Sequence, residues 1–211
     1  MTQKSALILV DLQNDFCDGG RLEVHGGSQV IPFANQLQDH FELIVASKDW
    51  HPADHTSFAA NHPSHGIGEL VKTDHIMQIL WPEHCVQGSV GAAFHPDLDI
   101  SRVSKIFHKG TDKNIDSYSA FFDNEHLLAT GLGDYLSKQG VQDVYIMGLA
   151  TDYCVKYSAL DAKKLGFQVY VIEDACRGVD LVEGDSAAAF EELRVAGIHV
   201  IASSNIIKST G

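Results

Sequence analysis

The chain is short of positive charge. It carries 28 Asp and Glu against 15 Lys and Arg, for a formal net charge of −13, and its cations form no basic block. This argues against a nucleic-acid backbone as partner and favours a small or neutral substrate over a polyanion. Long apolar runs are also missing. The run before Asp11 is too short for a secretory leader, and no stretch is long enough to span a bilayer. Paired cysteines are absent too: Cys17, Cys85, Cys154 and Cys176 are scattered, with no C-x-x-C. We therefore expect reduced thiols in a cytoplasmic protein with no membrane partner. There is no internal repeat, low-complexity tract or linker. The 211 residues, 45% of them hydrophobic, predict a single domain over residues 1–211 with a substantial core.

Strand-like and helix-like segments alternate. Residues 6–12 (ALILVDL) form a continuous apolar run, as in a strand buried on both faces. Residues 43–50, 104–110, 143–150, 168–174 and 199–203 read as further strands. Residues 28–41, 125–139, 155–167 and 183–196 read as helices, the first with Ser28 as N-cap. Gly131 and Gly133 weaken the second. The alternation predicts an α/β fold, with a six-stranded, mainly parallel sheet and helices on both faces. About residues 50–103 break the pattern and predict an irregular insertion that carries function. Strand order does not follow from periodicity.

In such sheets ligands sit beyond the carboxyl ends of the strands. Asp11, Asp49, Lys109 and Cys154 all fall at or near such ends. Cys154 lies where a strand (DVYIMGLA) gives way to a helix, a place where the helix dipole favours a thiolate. The competing reading is a small buried hydrophobe. A carboxylate at Asp11 is costly to bury unless paired, and Lys109 would ordinarily be solvated. Together they offer a base, a cation and a sulfur nucleophile. No histidine near Cys154 is placed to act as the base, so Asp11 is the better candidate.

Half of the 12 histidines fall between His51 and His84. Asp49 and His51 are two apart at a strand end, so their side chains point the same way. With His84 in WPEHC they could hold one divalent ion and leave positions open. His55 is the rival ligand. His62, His65 and His75 read as exposed loop histidines.

Taken together, DLQNDF, KDWH, WPEHC, HKG and GLATDYCV resemble the nicotinamidases of the isochorismatase-like cysteine hydrolases, over about residues 6–178. The resemblance implies a six-stranded parallel sheet flanked by helices. It implies Cys154 as nucleophile, Asp11 as general base and acid, and Lys109 as the third triad member. It makes Asp49, His51 and His84 ligands of one zinc, iron or manganese ion that meets the ring nitrogen. The Leu149–Ala150 peptide would be cis, the amides of Ala150 and Cys154 would form an oxyanion hole, and Phe16, Trp81 and Tyr118 would surround the ring. The implied activity is hydrolysis of nicotinamide, and of pyrazinamide, in NAD salvage. Alternatives are another cysteine amidase or carbamoyl hydrolase of the superfamily, a vinyl-ether hydrolase, or a non-catalytic interaction domain. Metal identity and assembly into homo-oligomers stay open.

Overall fold

The computed structural model describes residues 4–73 and 76–207. In chain order the elements are β1 (Ser5–Val10), α1 (Val30–Gln38), β2 (Leu43–Asp49), β3 (Leu70–Lys72), β4 (Met77–Ile79), β5 (Lys105–Lys109) and α2 (Leu132–Lys138). They continue with β6 (Asp143–Leu149), α3 (Lys156–Lys164), β7 (Gln168–Arg177), α4 (Asp185–Val195), β8 (His199–Ile201) and α5 (Ser204–Ile207).

Six strands form one sheet in the order β5-β2-β1-β6-β7-β8, and every pairing in it is parallel. The expected α/β class and strand count hold. Strand β1 is central because its apolar residues can be covered on both faces; Ala6, Leu7, Ile8, Leu9 and Val10 are all fully buried. Helix α1 packs on β6 and β7, α3 on β7, and α4 on β8. From β1 the chain steps outward through β2 to β5, then returns to lay β6 against the other side of β1. The sheet therefore reverses direction between β1 and β6, which creates a crevice beyond their carboxyl ends. Asp11 follows one of these strands and Cys154 the other.

Among its described residues, the segment of about residues 50–103 holds the antiparallel pair β3–β4 and short helical turns. Two expectations fail. The helix foreseen at residues 125–139 is confined to Leu132–Lys138. The Asp123 carboxylate accepts the N–H groups of Glu125, Leu127 and Leu128. His126 takes a positive φ of 59°, so the chain closes a turn in place of a helix. Gly131, at φ 87°, starts the helix that remains. Ser28 is not an N-cap either. It exchanges hydrogen bonds with Asp18, 3.1 Å from the Asp18 N–H to its Oγ and 3.3 Å from its own N–H to the carboxylate. The helix proper begins at Val30. Among the described residues no helix is long and apolar enough to cross a membrane.

Gly148 marks the tightest point of the β1–β6 pair. Its φ is +129°, and a Cβ there would lie 2.2 Å from the Val10 carbonyl oxygen. Gly148→Ala is expected to destabilise the fold by about 3 kcal/mol, which for a chain of this size lowers Tm by roughly 6–12 °C. Thermal unfolding followed by circular dichroism measures it.

Candidate active site and metal centre

Lys109 ends β5 and turns inward, and its side chain is fully buried. Its ammonium lies 2.9 Å from Asp11 Oδ2 and 2.5 Å from Asp49 Oδ1. It lies 2.9 Å from the Ser117 carbonyl and 3.3 Å from Cys154 Sγ. Asp11 leaves β1 with φ 51°, which aims its carboxylate across the strand ends, and Ser47 Oγ donates to its Oδ1 at 2.7 Å. Asp11, Asp49 and Cys154 bring a carboxylate oxygen or the sulfur to within 4.8 Å of one another. The three residues foreseen as acid, cation and nucleophile thus meet in one place.

Charge and burial set their protonation. Burial alone would strip the Lys109 proton, but Asp11 and Asp49 hold its affinity well above the ordinary lysine range. Burial also acts against Asp49, yet Lys109 and His51 keep its carboxyl well below the usual range. Asp11 is pushed up by burial, with Lys109 opposing and Asp49 reinforcing. Burial drives the Cys154 thiol well above its ordinary value; Lys109 opposes this while Asp11 and Asp49 add to it. This corrects the expectation of a dipole-favoured thiolate. Residues Thr151–Val155 form a π-helical turn before α3, and desolvation is the largest influence on the thiol there. A thiol held protonated beside a raised carboxyl suits proton transfer during attack, not a standing thiolate.

Asp49 divides its two oxygens. Oδ1 faces Lys109, and Oδ2 lies 3.5 Å from His51 Nε2 and 3.7 Å from His84 Nε2. The far nitrogens of both rings face carbonyls: His51 Nδ1 donates to Gly110 at 2.9 Å and His84 Nδ1 to Pro82 at 2.8 Å. A carbonyl only accepts, so both Nδ1 atoms are donors, and with the rings neutral, as metal ligation requires, both Nε2 lone pairs would point toward Asp49. Orienting carbonyls of this kind accompany metal-bound histidines. Gly110 is required, because a Cβ there would come within 2.3 Å of the His51 ring. The donor set, one carboxylate and two imidazoles, fits zinc, iron or manganese.

His55 does not match them. Its ring packs on His51, with centroids 4.3 Å apart, and with Asp116 and His51 it forms a second donor group. However, its Nδ1 accepts the Ser57 N–H at 3.2 Å and pairs with the Ser57 hydroxyl at 2.7 Å. That assigns the ring proton to Nε2. Burial drops its pKa to about 4 and keeps the ring neutral. His65 is exposed, His62 is half-buried against the Thr56 carbonyl, and His75 lies outside the described residues.

A cleft of about 350 Å³ opens beside these groups. Phe16, Trp81 and Tyr118 line it, together with Ala150 and Cys154. The Leu149–Ala150 peptide is cis. Trp81 Nε1 donates to the Tyr118 hydroxyl at 3.3 Å. Sequence reasoning missed Tyr153, Asp116, Leu22 and Val179 on the same walls. Tyr153 packs edge-on to Trp81 and Tyr118, with centroids 5.0 and 5.3 Å away. Its place beside Cys154 was the available signal. Asp116 is nearly fully buried, with Gln78 Nε2 3.1 Å from its Oδ2.

Replacing Lys109 removes the cation that opposes the upward shift of the thiol. Lys109→Ala is expected to move the alkylation midpoint of Cys154 upward by about 1–3 pH units, measured as the rate of iodoacetamide labelling against pH in a variant lacking the other cysteines.

The isochorismatase domain family matches residues 5–205. The nicotinamidase of Escherichia coli K12 is 49% identical over 91% of this chain and 92% of its own length. The nicotinamidase of Acinetobacter baylyi is 46% identical over 96% of this chain and 94% of its own. Among solved structures, the Acinetobacter baumanii nicotinamidase/pyrazinamidase superposes with a TM-score of 0.94 at 46% identity, covering 98% of this chain and 99% of that one. Yeast nicotinamidase bound to the inhibitor nicotinaldehyde gives 0.89 at 32% identity, covering 94% and 99%. Pyrococcus horikoshii pyrazinamidase in complex with zinc gives 0.77 at 37% identity, covering 94% and 99%.

Proposed function

This chain belongs to the isochorismatase domain family, and from that premise we propose that it is an amidohydrolase converting nicotinamide to nicotinate and ammonia, with pyrazinamide as a second substrate. Cys154 is the nucleophile, Asp11 the general base and acid, and Lys109 their shared cation. The observation that supports this most is the Lys109 ammonium within 3.3 Å of Asp11, Asp49 and Cys154, of which Asp49 and Cys154 line the aromatic cleft. The names of the relatives and of the ligand-bound neighbours point the same way.

Asp11 accepts the thiol proton as sulfur attacks the amide carbon. The amides of Ala150 and Cys154 are assigned to the developing oxyanion; one such donor is typically worth about 3–4 kcal/mol of barrier. The C–N bond then breaks, and Asp11 passes its proton to the departing nitrogen, which leaves as ammonia. A water loses a proton to Asp11 and attacks the thioester, and the sulfur leaves and is reprotonated. Phe16, Trp81 and Tyr118 flank the ring, and Tyr153 joins them as an aromatic wall. Asp49, His51 and His84 would hold a divalent ion, and a bound cation supplies a Lewis-acid site for the ring nitrogen. The zinc in the Pyrococcus neighbour makes zinc the first metal to test.

Cys154→Ala is expected to abolish ammonia release from nicotinamide and pyrazinamide while leaving nicotinamide affinity within a few fold. Coupled ammonia detection and calorimetry measure the two; a variant that still turns over removes the nucleophile assignment. His51→Ala and His84→Ala are each expected to lose metal and activity together. Elemental analysis of the purified variants decides this, and a stoichiometric ion in the double variant would exclude both as ligands.

A further inference from the structure

The segment after β1 does more than carry Asp11 and Phe16. Strand β1 pairs with β2 only as far as Leu9↔Ala46, then turns away at Asp11. The edge of β2 that faces β1 is therefore left without a neighbouring strand at Asp49. The Gln13 side chain fills that gap. Its Nε2 donates to the Asp49 carbonyl at 2.8 Å and its Oε1 accepts the Asp49 N–H at 2.8 Å. A side-chain amide has the donor and acceptor of a peptide group, so it replaces the missing strand at this one residue. The same Nε2 also donates to the Ala92 carbonyl at 3.0 Å. Gln13 is fully buried and its amide has a partner at both ends.

Asp15, two residues on, acts on the other side of the metal centre. Its Oδ2 accepts the Cys85 N–H at 2.7 Å and its Oδ1 the Arg21 N–H at 3.3 Å. Cys85 follows His84 directly and is held at a positive φ of 47°. The backbone strand of the contact is equally close: Asn14 N–H donates to Ala93 at 2.9 Å and Asp15 N–H to Gly91 at 3.0 Å. A Cβ on Gly91 would lie 2.0 Å from the Asp15 carboxylate, so this wall admits only glycine.

We propose that Gln13 and Asp15 are positioning residues that set Asp49 and His84 at metal-binding separation. The assignment rests on the reading of Asp49, His51 and His84 as the metal centre. Neither residue is part of the cleft lining, so each acts through the ligand it holds. One segment thereby joins Asp11 to two of the three proposed metal donors. Outer partners of metal ligands typically change affinity by about 10–100-fold when removed.

The test measures zinc affinity by competition with a chromophoric chelator, in a Cys154→Ser background so that the thiol does not take the probe. Gln13→Leu and Asp15→Ala are each expected to bind zinc about 10–100-fold more weakly. Asp15→Asn keeps an oxygen acceptor for the Cys85 N–H and is expected to stay within a few fold of the parent. Each protein is first required to melt cooperatively above the assay temperature; if Gln13→Leu does not fold, the Asp15→Ala and Asp15→Asn pair decides. A parent that binds zinc, with both Gln13→Leu and Asp15→Ala equally tight, overturns the positioning role alone. Equal weakening by Asp15→Ala and Asp15→Asn overturns it for Asp15. A parent that binds no zinc overturns the metal centre and this inference together.

Discussion

The buried ammonium of Lys109 is the interaction on which the rest of the site depends. It touches Asp11, Asp49, the Ser117 carbonyl and the Cys154 sulfur at once. Removing any of these groups from water is costly alone, and two carboxylates side by side add repulsion. Between them the cation makes the burial tolerable. It also joins two functions in one contact set. One carboxylate faces the thiol, and the other faces two imidazoles. A lysine suits this role because its compact charge and three donors can be shared among several acceptors, whereas a planar guanidinium would favour one carboxylate.

The placement of that lysine follows from the sheet. Parallel strands β5, β2, β1 and β6 end side by side, so residues just past their carboxyl ends are neighbours although more than a hundred positions separate some of them. Lys109, Asp49, Asp11 and Cys154 are those residues. The reversal between β1 and β6 opens the crevice, and the irregular insertion supplies what the strand ends cannot. His84, Trp81 and His51 come from it or its edge, the two imidazoles held by carbonyls and the indole by the Tyr118 hydroxyl.

Much of this was legible in sequence, and the reasons are physical. Strand β1 is apolar from Ala6 to Val10, and its neighbours β2 and β6 are apolar over most of their length, which separates them from the amphipathic helices. Charged residues at their ends stand out because burial forbids them elsewhere. The order of strands was not legible, since periodicity marks a strand without naming its neighbours, which only the crossovers fix. The helix foreseen at residues 125–139 failed because a single carboxylate, Asp123, captures three backbone N–H groups, a local competition that periodicity does not register. The state of Cys154 was misjudged for a related reason. A dipole argument uses neighbours along the chain, whereas the desolvation and the two carboxylates that raise the thiol come from across the fold. Gln13 went unread because an amide in a loop carries no signal until the strand it replaces is seen to be missing.

Charge accounting ties the two halves of the site together. Asp11 and Asp49 with Lys109 sum to −1 in a buried volume. That sum disfavours a further anion, and an oxyanion is what attack on an amide carbon creates. On the proposed reading, a divalent ion held by Asp49 would change the sum to +1 and supply the sign that the developing charge requires. The location of the proposed metal donors, one carboxylate oxygen away from Lys109, would thus have an electrostatic consequence beyond holding a ring in place. The thiol need not ionise in the resting pocket, where burial opposes it. In the proposed mechanism its proton moves to Asp11 only as negative charge appears on the substrate oxygen.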